Sequence, residues 1–211
     1  MKQVIIIGAS GFGGEVAWVL ERMAAQTGGV AIIGFCDDAP GKQCGVWRGV
    51  PLLGPVGAAA CIGGAACGEV WFHVAVGGNV AREQLTARAI ACGWRPLTVC
   101  DPTAVVAADA CVGEGCYIGA GAVISCGSRL GVGVIVNHQA TVGHDVVVEA
   151  FAQICPGARV SGGCHIGARA LLGSNAVVIP GVSVGTDATV GATAAALRDV
   201  PDGGGVARAG R

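Results

Sequence analysis

Ile118-Gly119-Ala120-Gly121-Ala122-Val123-Ile124 decides the fold. It opens and closes on isoleucines six residues apart, and the same spacing runs outward in both directions without an insertion. Every sixth residue from Val106 to Val190 is Val, Ile or Leu, fifteen positions in all, and four residues after each stands Ala, Cys, Ser or Val. Gly takes the second place in eight of the fifteen hexads, from Gly113 to Gly191. At 3.6 residues per turn an α-helix would scatter such a column around its axis. A flat strand would repeat every two residues. One aliphatic and one small inward side chain per six residues fit a three-sided coil of short parallel strands, a solenoid. Three hexads complete a turn, so fifteen make five turns, stacked at about 4.8 Å. Period six does not set the hand, and the general preference for right-handed crossovers favours a right-handed coil.

Residues 1–98 follow another rule. Gln3–Ile7 is an apolar run ending in Gly8-Ala9-Ser10-Gly11-Phe12-Gly13-Gly14, and Val16, Val19, Leu20 and Met23 give Glu15–Ala25 helical spacing. Val30–Phe35 reads as a second strand, stopped at Cys36-Asp37-Asp38, and Val70–Val76 as a third, running into Gly77-Gly78-Asn79 before a helix over Val80–Cys92. Strands alternating with helices imply a parallel, doubly wound sheet. The expected organisation is a small α/β Rossmann-like domain over 1–98, the hexad coil over 99–195, and a tail over 196–211. Ala192–Val200 has helix-compatible spacing and would cover the open strand edge of the last turn.

Composition narrows the function classes. Of 211 residues, 53% are apolar and 13% charged, with a net charge of −1. That excludes disorder and argues against a nucleic-acid groove, which needs a basic stripe. The longest charge-free stretch, Gly49–Gly68, holds Pro51, Pro55 and six glycines, a poor membrane span. The N-terminus lacks the apolar run and cleavage site of an export signal, so a cytoplasmic location is expected. The 11 cysteines form no Cys-x-x-Cys pair. They read as reduced, small apolar side chains.

The hexad block, together with Gly8-Ala9-Ser10-Gly11-Phe12-Gly13, Asp37-Asp38, Gly77-Gly78-Asn79-Val80-Ala81-Arg82 and Asn137 with His144-Asp145, resembles the bacterial hexapeptide acyltransferases. Within them it is similar to the sialic acid O-acetyltransferases and nucleotide-sugar N-acetyltransferases, including the UDP-4-amino-sugar enzymes of bacillosamine synthesis. The resemblance covers about residues 3–200. It implies a left-handed parallel β-helix, acetyl-CoA as co-substrate, no metal, and a homotrimer with its sites between subunits.

On that footing His144 is the general base. Imidazole, with an ordinary pKa of about 6.5, suits proton removal from a nucleophile at neutral pH. Asp145 would hold the ring. Gly162, three hexads on, falls at the same corner one turn later and leaves room and a backbone N–H for the thioester oxygen. The resemblance places Gln153, Ser174, Gly191 and Ala192 against coenzyme A, and Asn137 near the acceptor sugar. Gln153 stands where relatives can carry histidine, and Phe12 where they more often do. Gly8, Ser10, Gly11, Phe12, Gly13 and Gly14 form a glycine loop suited to a pyrophosphate at a helix start. Asp37 and Asp38 map onto a nucleoside-recognising pair, and Gly77, Asn79 and Arg82 complete that pocket. His138 is either a substrate contact or a solvated corner residue; His73 and His165 read as structural. The closing Gly205-Val206-Ala207-Arg208 resembles the Gly-Val-Pro-Ala-Arg ending of many relatives only loosely.

The expected reaction is N-acetylation of a UDP-linked 4-amino-4,6-dideoxy sugar by direct attack, since no serine or cysteine stands beside His144 as an obvious covalent relay. O-acetylation of a sialic acid or other surface sugar is the alternative. Remoter readings are a scaffold without catalysis, or a metal site like that of γ-class carbonic anhydrases. Against the latter, His138, His144 and His165 lack the His-x-x-x-x-His spacing.

Overall fold

The computed structural model describes residues 1–42, 44–58 and 69–207. The chain forms two compact units, Met1–Pro102 and Thr103–Arg211. In the first, β1 (Lys2–Ile7), β2 (Val30–Cys36), β5 (Val70–Val74) and β6 (Arg95–Pro96) make a parallel sheet in the order β2-β1-β5-β6. Between β2 and β5 lies a hairpin, β3 (Val46–Trp47) and β4 (Val50–Pro51). Strand β1 is central and covered on both faces, with Ile5 and Ile6 fully buried, as a parallel sheet requires. Helix α1 (Gly11–Thr27) buries Val16, Val19 and Leu20, and α2 spans Asn79–Ala91. The last strand of the unit, β7, is Val99–Cys100.

Helix α1 starts four residues before the sequence reading placed it. Its glycine-rich first turn carries no apolar period, yet the Gly14 N–H already bonds the Ser10 carbonyl at 3.0 Å. Strand β5 ends two residues sooner than expected, at Val74. Because β2 and β5 flank β1 on opposite sides, the chain reverses its winding at the C-terminal end of β1. Such a switch point opens a crevice for a ligand.

The second unit is the coil. Two-residue strands begin at β8 (Val105–Val106) and recur every six residues to β23 (Ala195–Ala196). As far as the strand at Val177–Val178, each pairs in parallel with the strand three hexads further along, as in Val123↔Thr141 and Arg129↔Val147. Three faces result, and the aliphatic column from Ile118 to Val190 is buried throughout, no member above 4% exposed. The small column lies inward beside it, including Cys116 and Cys164. The first two column members differ from expectation, Val106 being 37% exposed and Val112 half-buried. They belong to the first turn of the coil.

The corners follow the same period. Every fourth-place residue from Gly115 to Thr193 is left-handed, with φ between 55° and 74°, half of them glycine and half not. Second-place glycines serve a different need: a Cβ on Gly143 would stand 2.7 Å from the Gly162 nitrogen. The tail departs from expectation, for Ala192–Val200 is not a helix. Ala194 and Ala196 continue the buried columns, Val200 bridges to Val184, and β24 (Gly205–Val206) pairs with Thr189–Val190. The pairing offset there falls short of three full hexads, and alanine replaces the large aliphatic residue. A strict period-six reading therefore stops too early. Arg208 lies outside the described residues.

Candidate active site

In the first unit, the loops after β1, β2 and β5 meet around a cavity of about 250 Å³ lined by Gly8, Ser10, Asp37, Asp38, Val76 and Leu85, with Ile7 behind. Gly8 turns the chain at φ 113°, and a Cβ on Gly13 would overlap the Gly8 carbonyl, so α1 starts hard against β1. The Asp37 carboxylate accepts the Ala9 N–H and the Ala39 N–H, both at 2.9 Å, and the Lys42 ammonium at 3.1 Å. Burial pushes its pKa up, but these donors outweigh burial and hold it below the usual carboxylate range. Lys42 also donates to the Ala9 carbonyl at 2.7 Å. Asp38 pairs with Arg88 at 2.5 Å.

Not all residues assigned to this pocket line it. Arg82 is 2% exposed, and its guanidinium donates to the Val76 and Gly77 carbonyls and to Asn79 Oδ1. Arg82 and Asn79 thus brace the loop after β5 from behind. Gly14 faces the Arg48 guanidinium, while Gly11 stands open. Phe12 is half-buried at the start of α1. Lys42, Arg48 and Arg88 were not foreseen. Single basic residues in loops and on a helix carry no spacing signal.

In the coil, His144 occupies the third place of its hexad, at a corner, and its side chain is 66% exposed. Its Nδ1–H donates to Asp145 Oδ2 at 2.9 Å. This leaves Nε2 as an acceptor turned to the open side. Gly162 lies one turn above, and any side chain there would run into Nε2. Third-place N–H groups stand outside the strand ladder, so Pro156 and Pro180 are tolerated at that place. Several find side-chain acceptors, as Ala168 does in Glu149 and Thr186 in Asp202. The Gly162 N–H has no acceptor among the described residues. One turn below His144 the same place holds Cys126, whose carbonyl accepts the Asp145 N–H at 3.0 Å. Cys126 is exposed and stands in the same corner stack as His144.

The other assigned residues fall elsewhere. His138, Pro156, Ser174 and Ala192 share a second corner, separated from the His144 corner by one face of the coil. Asn137 is 9% exposed and its Oδ1 accepts the His138 N–H at 2.7 Å. His138 Nδ1 accepts the Ala120 N–H, so neutral His138 carries its proton on Nε2, the opposite polarity to His144. The Gln153 amide reaches Cys155 Sγ, and Gly191 precedes Ala192 beneath Val206. His73 is buried and donates from Nδ1 to the Leu97 carbonyl. His165 pairs with Glu149 on the surface. Among the described residues no cluster could hold a metal ion, and no helix is long and apolar enough to cross a membrane.

A stacked hexad coil with an exposed, carboxylate-paired histidine at one corner and an α/β unit before it points to an acyltransferase of the hexapeptide class. Residues 3–89 match the family model described as the PglD N-terminal domain. The perosamine N-acetyltransferase PerB from Caulobacter crescentus, solved with CoA and GDP-perosamine, superposes with TM-score 0.86 at 32% identity, covering 96% of this chain and 92% of that one. The acetyltransferase domain of PglB from Neisseria gonorrhoeae, solved with acetyl coenzyme A, gives 0.84 at 35% identity, covering 98% and 96%. WeeI from Acinetobacter baumannii shares the fold, with TM-score 0.87 at 24% identity over 99% and 97%. No curated protein matches the chain by sequence. The chain belongs to the left-handed β-helix family of hexapeptide sugar N-acetyltransferases. Its coil is left-handed, against the right-handed preference of ordinary crossovers.

Proposed function

We propose that the protein transfers the acetyl group of acetyl-CoA to the amino group of a nucleotide-linked 4-amino sugar. The observation that carries this is the His144 corner: Nδ1 held by Asp145, Nε2 open, and an uncommitted N–H on Gly162 beside it. The amine lone pair attacks the thioester carbon, and His144 Nε2 takes the proton leaving nitrogen. The Gly162 N–H faces the oxygen that gains charge. The C–S bond then breaks, and the imidazolium returns its proton to the departing sulfur. Asp145 steadies the ring and the charge it acquires. The nucleotide is held in the cavity between Gly8, Ser10, Asp37 and Asp38, and the enzyme works in the cytoplasm as a homotrimer.

The two corners of the coil support a shared site. His144 and Gly162 lie at one corner, Ser174 and Ala192 at another. One face of the coil separates the two corners in a single chain, and adjacent copies around a three-fold axis would bring one of each together around a single coenzyme A. Incubation with acetyl-CoA and either a UDP- or a GDP-linked 4-amino-4,6-dideoxy sugar tests the reading. The expected product gains one acetyl group on nitrogen with release of the CoA thiol. Acetylation on oxygen, or turnover undiminished in His144→Ala, would overturn it.

A further inference from the structure

Asp145 sits at a left-handed corner (φ 57°), and one turn below it, at the equivalent corner, is Gly127. Asp145 uses its two oxygens differently. Oδ2 accepts the His144 Nδ1–H, while Oδ1 leans over Gly127, where a Cβ would collide with it. Gly127 is itself fixed from below, its N–H donating to Asp109 Oδ2 at 3.1 Å. The left-handed corners accept Gln139, Arg169 and Thr193 elsewhere in the coil, so the backbone alone does not demand glycine here. What demands it is the carboxylate above.

Resting on the base assignment made above, we propose that Gly127 is a positioning residue for catalysis: its missing side chain is the seat that lets the Asp145 carboxylate stay level with His144 Nδ1. A methyl group at 127 must displace Oδ1 upward or outward. Because the carboxylate is rigid and planar, Oδ2 leaves the imidazole with it. The ring then loses its anchor, and Nε2 is no longer held toward the acyl site. Substrate contacts made by the first unit and by Ser174 and Ala192 are untouched.

Gly121→Ala is the internal control. Gly121 has the same φ of 67°, but a Cβ there meets only Gln139 Cγ at an ordinary 3.5 Å. The two variants thus share the backbone strain and differ in the collision. In the full-length protein, Gly127→Ala should lower kcat about tenfold relative to Gly121→Ala, with KM for acetyl-CoA unchanged. On an Asp145→Ala background, which removes the colliding group, the two alanines should cost the same, and Gly127→Ala should melt where its control melts. If Gly127→Ala alone is too unstable to assay, recovery of its melting temperature by Asp145→Ala supports the seat, and no recovery overturns it. Equal kcat in the two single variants, or a tenfold deficit that persists without Asp145, also overturns it. A wild-type rate in Asp145→Ala alone would instead strike at the base assignment.

Discussion

Gly162 lies against the imidazole of His144 one turn above it, and a Cβ there would stand 2.6 Å from Cε1 and 2.8 Å from Cδ2. The absent side chain keeps the approach to Nε2 clear. Gly162→Val should therefore preserve the fold, because the third place lies outside the ladder, yet lower kcat/KM by more than about a hundredfold. Circular dichroism with steady-state kinetics checks both halves. Normal turnover in this variant would mean that the acyl group does not pass this corner.

Removing the proposed base has a different signature. His144→Ala should lower kcat by roughly 10²–10⁴, the usual contribution of general-base catalysis, with little change in KM. The variant removes only the group proposed to take the proton, so ground-state binding should survive. Titration of the variant with acetyl-CoA by calorimetry should give an affinity near wild type.

Cys126 sharpens the question of direct attack. It occupies the corner place one turn below His144, within the same stack, where a thiol could in principle take the acetyl group first. Its carbonyl, not its thiol, is committed to the Asp145 N–H. Direct transfer predicts that Cys126→Ser keeps kcat within about twofold. No acetylated enzyme should be detected by intact mass measurement when acetyl-CoA is added alone.

The hexads revealed most of the coil because its constraints are local and repeat. An inward aliphatic, a small inward neighbour and a close second place recur at fixed spacing, and the stack of Gly162 on His144 follows by counting hexads. What escaped was set by other physics. The last turn shortens its pairing offset after Ala196, which no strict period can follow. Arg82 reads as a pocket residue beside Asn79, but the fold buries it and uses its guanidinium on loop carbonyls. Lys42 and Arg88 were missed because their importance lies in partners 5 to 50 residues away. The seat at Gly127 was equally hidden, since its reason is the carboxylate one turn above.

Acid stability of the first unit should depend on His73. Burial pushes its pKa down from 6.5 to about 4, with the Arg82 charge nearby acting in the same direction. The native state thus refuses a proton that the unfolded chain accepts. The sign follows: stability is full above about pH 6.5 and declines as pH falls toward 4, by up to about 3 kcal/mol. His73→Gln keeps a donor for the Leu97 carbonyl and removes the titration. Urea unfolding at pH 7 and at pH 4.5 should show a smaller loss of stability on acidification in the variant than in wild type.

Assembly gives the last test. One face of the coil runs between the His144 corner and the Ser174–Ala192 corner, and its outward residues include Val105, Val123 and Val177. Val105 is 60% exposed and Val123 36%, while Val147 on the next face is 40% exposed. Exposed valines on a face that also carries Thr141 and Arg159, in a chain with 13% charged residues, fit a surface that a partner copy would cover. Closed rotational symmetry is the common way to bury one. A three-fold axis would bring the His144 corner of one copy to face the Ser174–Ala192 corner of the next, completing three equivalent sites. Arg159 lies on the same face, its guanidinium on the Gln139 carbonyl, and offers a place to intervene. Val123→Glu with Val177→Glu would put like charges from each copy into this face, and should yield folded monomers. Those monomers should be inactive although no residue of the His144 corner has changed. Sedimentation equilibrium paired with the acetylation assay reads both properties. A fully active species with the mass of a single chain would overturn the trimer and the shared site together.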